Sequence, residues 1–537
     1  MRKLFLPIFG IFILTTTLSA QIKLSKGAEK VGLIMYFIEN YYVDQVEDKK
    51  LSEDAIRSLL KELDPHSSYI SAEEAKEMNE PLEGNFDGIG ISFNMMTDTL
   101  YVIETISGGP SEKVGILPGD KMIYVNDTLI AGVKMTTKKI MSHLRGPKGT
   151  KVNVKIQRRN VPELLDFVIT RDKIPIYSLD AAYMLDNNVG YIRLSRFGAT
   201  TLDEFKDACK KLQDEGMENL ILDLQSNGGG YMPIAIGLVD EFLSKDKLIV
   251  YTEGRREPKR TWRSTNKGSF EQGKLVILIN EYSASASEIV SGAIQDWDRG
   301  VVVGRRSFGK GLVQKQVPLP DESLLRLTVS RYYTPTGRSI QKPYEKGDEQ
   351  SYAMDVIERY NKGEMMHADS IHFPDSLKYE TLVNHRTVYG GGGIMPDYFV
   401  PIDTMQYSDY LRKINAMGVT PKTALRIVDN NRSSLLTQYP TAESFSENYN
   451  ISDNDLTLLK SIAGEDKIEF DEGGYIKSLP IIKTQLKALI ARDLYDNTAY
   501  FRVINEINDE YLEAVKIIND DFLYNNLLHR KISEINQ

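Results

Sequence analysis

The chain has 537 residues, more than one hydrophobic core accommodates, and the usual size of a domain predicts about three or four. Hydrophobic residues (41%) and charged residues (26%) stand in the proportions of a folded protein. A net charge of −9, with no long Lys and Arg run, excludes the basic field on which nucleic-acid binding depends.

The first twenty residues stand apart. Arg2 and Lys3 precede the apolar stretch LFLPIFGIFIL, and Leu18-Ser19-Ala20 supplies small residues where a signal peptidase cuts. Residues 1–20 therefore read as a secretory signal; an amino-terminal anchor is the alternative, with an apolar run short for a span of ~20 residues. No Cys sits at the cleavage point, so the expectation is an exported periplasmic or cell-envelope protein, soluble after cleavage, and not a lipoprotein. Cys209 is the single cysteine, which excludes an internal disulfide. It lies in the amphipathic run TLDEFKDACKKLQDEG and reads as a small buried apolar residue.

Residues 22–80 read as helical. Ser52 is placed to cap a helix through Ala55, Ile56, Leu59, Leu60 and Leu63, and Ser71-Ala-Glu-Glu74 is a capping box. The LDPHSSY segment between them reads as a turn. Residues 84–172 change character: GIGISF, LYVIETI, KMIYVND and KVNVKIQR are short strand patterns, and MTTKKIMSHL is a helix pattern. Within 175–400, VGYIRL, NLILDL, KLVILIN and GVVVG alternate with TLDEFKDACKKL, MPIAIGLVDEFL and ASEIVSGAIQDW. Alternating strands and helices predict an α/β layer, with ligands gathered at the carboxyl ends of its strands. Residues 402–537 read as a mainly helical extension, with helix-period apolar residues at 478–495 and 499–528.

The chemistry is expected at residues 281–314, EYSASASEIVSGAIQDWDRGVVVGRRSFGKGLVQ. The apolar strand LVILIN ends at Asn280, and a helix pattern starts near Glu288. A Ser at such a junction sits near free backbone N–H groups, which bind a developing oxyanion. A Ser nucleophile needs a base. None of the six His lies in this region, and the nucleophile-elbow pattern is missing. Lys310, between Gly309 and Gly311, is the alternative, since amine bases serve Ser in variants of the triad. Its pKa of ~10.4 has to fall by roughly three units to act near neutral pH, about 4 kcal/mol of disfavoured charge. Phe308, Leu312 and Val313 could bury it, and Gln314 could orient the amine. On residue chemistry alone, a lone Lys between glycines reads first as a surface-loop residue and only second as a base. Residues 304–310 also fit the phosphate-loop spacing, but Gly311 replaces the Ser or Thr that a nucleotide's magnesium requires.

The ordered motifs LDPHSSY, GIGISF, GPSEKVGILPGDKMIYVND, ILDLQSNGGG, SASASEIVSGAIQD, SFGKGLVQ, YYTPTGRSIQ and GGGIMPD resemble those of the carboxyl-terminal processing, or tail-specific, proteases. The resemblance runs from about residue 25 to about 400. It implies an α/β multidomain protein: a crotonase/ClpP-like α/β protease core, an inserted PDZ domain at 84–172, and helical regions at both ends. It implies Ser285 as nucleophile, Lys310 as base and Gln314 as the residue that orients it. Ala286 and Gly229, with Gly230 beside it, match the oxyanion donors. Gly88-Ile89-Gly90-Ile91 matches the PDZ loop that holds a peptide carboxylate, with residues 135–144 as the second wall of the groove. Partners are then protein or peptide substrates bound by their C-termini, without metal, cofactor or nucleotide. Helical arms of the kind found in relatives are consistent with a homodimer. Gln225 and Gly228 depart from the Arg and Pro common in this family.

Overall fold

The computed structural model describes residues 25–96, 98–159 and 161–529. The leader expected at residues 1–20 lies outside them. Helix α1 (Lys26–Tyr41) is capped by the Ser25 hydroxyl, which accepts from Ala28 N–H. It buries none of its residues and leaves Ile34, Phe37 and Tyr41 exposed. Helix α2 (Asp48–Lys61) begins before Ser52, which therefore does not cap it. The acidic Asp48 suits the first turn, and Ser52 Oγ donates to the Lys49 carbonyl from inside the helix. The capping box of α3 (Ala72–Glu83) is present, with Ser71 and Glu74 exchanging hydrogen bonds. LDPHSSY is more than a turn. Its end forms β1 (Ser68–Ile70), which pairs with the much later strand Leu324–Tyr333.

The chain next enters a strand-rich unit through β2 (Asn85–Gly88) and runs β3 (Ile91–Met96), β4 (Thr99–Thr105), α4 (Pro110–Lys113), β5 (Lys121–Val125), β6 (Thr128–Leu129), α5 (Thr137–Leu144), β7 (Lys151–Gln157) and β8 (Leu165–Thr170). It leaves through β9 (Asp172–Pro175), which pairs antiparallel with β2. The sheet order is β3-β4-β5-β7-β8, so β3 is an edge strand. Period-2 alternation builds its core. Val152, Val154 and Ile156 are buried while Lys151 and Asn153 are exposed, and Ile140 and Leu144 of α5 close the cluster.

The central layer follows: β10 (Leu179–Met184), β11 (Val189–Leu194), α6 (Thr201–Asp214), β12 (Asn219–Asp223), α7 (Met232–Asp240), β13 (Leu248–Glu253), β14 (Arg260–Arg263), β15 (Leu275–Ile279), α8 (Ala286–Asp296), β16 (Val301–Gly304), β17 (Leu312–Pro318), β18 (Leu324–Tyr333), α9 (Glu349–Asn361), β19 (Lys378–Glu380), β20 (Thr387–Tyr389) and β21 (Tyr398–Phe399). The main sheet has the order β10-β11-β12-β15-β16-β21, parallel throughout except at β10. Every residue of β15 and β16 is buried, as a parallel strand covered on both faces requires. A second sheet, β1-β18-β13-β14 with β17 on β18, lies beside it. Cys209 is buried and free, and burial pushes its thiol up to about 11.

Residues beyond 402 form α10 (Asp409–Ala416), α11 (Val419–Gln438), α12 (Ala442–Asn448), α13 (Asp453–Glu465), α14 (Glu472–Leu494), α15 (Asn497–Ile504), α16 (Asp509–Asn519) and α17 (Asp521–His529). They do two jobs. Helices α10–α15 form their own apolar cluster. Leu425 of that group packs on Ile103 of the strand-rich unit, and Arg159 reaches the Asp429 carbonyl. Helices α16 and α17 instead cover the second face of the main sheet, placing Tyr511, Ile517 and Leu527 against Ile221, Val276 and Val303. Buried Arg305 bridges Glu281 and Glu510 across that joint. No helix among the described residues is long and apolar enough to cross a membrane.

Ile517→Ala, at a fully buried position of α16, is expected to lower the stability of the protease core by about 2–5 kcal/mol. Urea unfolding followed through both peptidase activity and circular dichroism checks this. An unchanged midpoint would show that the sheet stands without these helices.

Candidate active site

Strand β15 ends at Ile279, and a short loop delivers Ser285 to the start of α8. Ser285 holds φ 56° and ψ −108°, a left-handed conformation that costs a non-glycine residue about 1–3 kcal/mol. The surroundings impose it. Ser285 N–H donates to Glu288 Oε2 at 2.8 Å, and its carbonyl accepts from Tyr332 Oη at 3.1 Å. The flanking serines act as struts: Ser283 Oγ donates to the Leu224 carbonyl and Ser287 Oγ to that of Asn227, each at 2.8 Å. The Ser285 hydroxyl makes no such donation.

Glu288 organises the site. Its fully buried carboxylate accepts from Ser285 N–H and Lys310 N–H on Oε2, at 2.8 and 2.9 Å. Its Oε1 accepts from Gly309 N–H at 2.7 Å and Ser307 Oγ at 2.5 Å. Burial pushes this carboxyl above the usual range, and the four donated hydrogens oppose the push. One oxygen thus pins the backbones of the expected nucleophile and the expected base together. In the sequence Glu288 marks only the start of a helix, because three of its four partners lie about twenty residues on.

Lys310 is held tightly along its backbone. Gly311 N–H donates to Gln341 Oε1 at 2.8 Å, and Lys342 N–H to the Gly309 carbonyl at 2.9 Å. Gly309 (φ 88°) has no room for a Cβ, which would meet Lys342 Cβ at 3.0 Å. The clamping segment is itself anchored by Arg338, which pairs with Asp296 of α8 at 2.7 Å, both side chains fully buried. The Lys310 side chain is part-buried and makes no ion pair or hydrogen bond among the described residues. Burial lowers its pKa, Arg326 lowers it further, and Glu288 and Asp64 act in opposition. The Ser285 and Lys310 side chains are not hydrogen-bonded to each other here. Gln314 donates from Nε2 to Thr328 Oγ1 at 3.3 Å and not to Lys310.

The loop 225–230 faces Ser285. A Cβ at Gly229 would lie 2.9 Å from Ser285 Cβ and 3.0 Å from Ala286 N, so this close approach admits only glycine. Gly229 N–H donates to Asn227 Oδ1 at 2.9 Å. The N–H groups of Ala286 and Gly230 have no partner among the described residues. Gly228 has open space at its Cβ position and no left-handed φ. Gln225 accepts from Asn508 Nδ2 at 3.0 Å, which ties this loop to the residues just before α16. Behind the loop, a cavity of about 990 Å3 is lined by Gln225, Ser226, Asn280, Asn508 and Asn94 of β3, among others; Ser285 and Lys310 do not line it.

In the strand-rich unit, the expected strand GIGISF is broken. Gly88 ends β2, Ile91 opens β3, and Ile89 and Gly90 lie between them with N–H groups that have no partner among the described residues. Gly90 has φ 73°, and its missing Cβ clears Ile174 and Pro110. LDPHSSY also reaches the site. His66 Nε2 lies 3.0 Å from Tyr352 Oη, and burial, with Lys310 next in effect, lowers its pKa to about 4.

Comparisons with known proteins give the family. The model of peptidase family S41 matches residues 188–349, that of a PDZ domain residues 88–168, and that of a family of unknown function (DUF8443) residues 410–496. The carboxy-terminal-processing protease of Bartonella bacilliformis is 38% identical over 321 residues, 59% of this chain and 73% of that protein. The carboxy-terminal processing protease CtpB of Bacillus subtilis is 32% identical over 352 residues, 65% of this chain and 72% of that protein. The solved photosystem II D1 C-terminal processing protease is 27% identical with a TM-score of 0.34, over 59% of this chain and 84% of that one. With such identity over so much of its relatives' length, the chain belongs to the carboxy-terminal processing proteases of peptidase family S41, which are serine peptidases, and it carries a PDZ domain.

Proposed function

We propose that this protein is an exported endopeptidase that selects proteins by their C-terminal tails and cleaves them with Ser285 and Lys310. The observation that carries this reading is the single Glu288 oxygen that holds both residues' N–H groups. Lys310, whose charge burial disfavours, acts in its unprotonated form and takes the proton from Ser285 Oγ as that oxygen attacks the peptide carbonyl. Ala286 and Gly230 supply free N–H groups to the oxyanion, whereas the expected donor Gly229 gives its N–H to Asn227 Oδ1 and serves by its close approach to Ser285. The ammonium returns its proton to the departing amine, and water then releases the acyl group from Ser285. Gln314 steadies the amine. No step calls for a metal or nucleotide. The unpartnered N–H groups of Ile89 and Gly90 support capture of a substrate carboxylate, with the tail added as a strand along the edge of β3. The basic start and apolar run of residues 1–20 support export to the periplasm or envelope. The exposed apolar residues of α1 support pairing with a second copy of the chain.

Ser285→Ala and Lys310→Ala are each expected to abolish cleavage of an unfolded protein while circular dichroism stays unchanged; retained turnover in either rejects the pair. Glu288→Ala frees both backbones and is expected to lower kcat by at least about 100-fold. Because the base works unprotonated, kcat/KM rises with pH through the depressed Lys310 pKa, below the ~10.4 of a free lysine. Arg326→Met removes a neighbouring positive charge, so it raises that pKa and moves the acidic limb to higher pH; a limb that stays put would reject Lys310 as the titrating base. Gly90→Val is expected to raise KM about tenfold, about 1.4 kcal/mol, for a tail-bearing substrate and not for a tailless one.

A further inference from the structure

We propose that Asp64 is a positioning residue that sets the direction of the Gln314 amide through the Thr328 hydroxyl. The inference rests on the Ser–Lys reading above and extends it to a segment that precedes the PDZ domain.

Asp64 is 6% exposed and lies in LDPHSSY. Its carboxylate accepts from His66 N–H and Ser67 N–H at 2.9 Å, from Ser67 Oγ at 2.6 Å and from Thr328 Oγ1 at 2.9 Å. Ser67 Oγ accepts in turn from Thr328 N–H at 3.1 Å, which fixes the backbone of β18 there. A carboxylate only accepts, and a hydroxyl has one proton. Thr328 gives that proton to Asp64, so toward Gln314 its oxygen can only accept. The amide must then present Nε2, and the contact is 3.3 Å.

The consequence falls on the other end of the amide. With Nε2 committed to Thr328, Gln314 Oε1 is left without a partner among the described residues. A β-bulge between Val313 and Gln314 sets Gln314 opposite Thr328, four residues after Lys310. An oxygen presented to Lys310 accepts one N–H of the amine and leaves its lone pair for the Ser285 proton. A reversed amide presents N–H groups that donate into that lone pair and take it from the Ser285 proton. The charged groups acting on Lys310 are Arg326 of β18, Glu288 of α8 and Asp64 itself, with His66 held neutral beside them.

Thr328→Val, Thr328→Ser, Asp64→Ala and Ser285→Ala in the full-length protein test this. Thr328→Val keeps the shape without the hydroxyl and is expected to lower kcat about 10–100-fold, with KM within about twofold of the parent. Its acidic limb moves to lower pH, because the protonated amine loses an acceptor. Thr328→Ser restores the hydroxyl and returns kcat to within about threefold of the parent. Asp64→Ala removes the oxygen that accepts from Thr328 and frees that hydroxyl to turn, so its loss of kcat is expected to match that of Thr328→Val. Parental kcat and pH profile in Thr328→Val overturn the relay, and so does an equal loss in Thr328→Ser. If Thr328→Val does not fold, parental kcat in Asp64→Ala overturns it by itself. Ser285→Ala separates the two readings: retained activity there rejects the Ser–Lys catalyst itself, whereas its loss beside an unaffected Thr328→Val rejects the relay alone.

Discussion

A buried carboxylate with no cation beside it is an expensive thing for a protein to keep, and the peptidase core is arranged around one. Glu288 survives in a dry site because four donors converge on it, three of them backbone N–H groups. Those donors come from two chain segments separated by a helix and a strand. The need to solvate one anion therefore brings the Ser285 turn and the Lys310 loop together. The left-handed Ser285 backbone, the cramped Gly309 and the Tyr332 contact follow from that convergence.

The same economy shapes the surroundings. Lys310 lies in a pocket where burial and Arg326 work against its charge, while the negative groups able to restore it remain beyond ion-pair reach. His66, which stands close by, is neutral for the same reason. Around this weakly charged interior the larger ionic connections sit at joints. Arg338–Asp296 fixes the segment behind the lysine, and Arg305 between Glu281 and Glu510 fixes α16 to the sheet. Such buried pairs stabilise little by themselves, but breaking one leaves an uncompensated charge, so they define a single arrangement of the parts.

Much of the layered core was legible in the sequence because its signals are local. LVILI and VVVG could only be covered strands, and KVNVKIQ alternates with the pleat. The helix after SASAS began within two residues of its expected start. Features that depend on distant partners stayed hidden. Ser52 resembled a cap, but the helix reached back to Asp48. LDPHSSY looked like a turn because β18, its partner, lies more than 250 residues on. Helices α16 and α17 carried the periodicity of any amphipathic helix, and nothing local said that their apolar faces meet the main sheet. The pair Ser285 and Lys310 came from ordered motifs; the carboxylate that unites their backbones could be seen only after folding.

Strands β2 and β9 pair along Asn85–Gly88 and Asp172–Pro175, so the PDZ domain leaves and rejoins the chain at neighbouring points. Two paired strands stand about 4.8 Å apart. From the viewpoint of the core, the whole recognition module is a tight hairpin with a very large tip. Closing that tip adds little entropy cost however many residues it holds. A different recognition module with adjacent ends could be grafted onto the same two strands, and tail preference could diversify in evolution while the hydrolytic machinery stayed as it is.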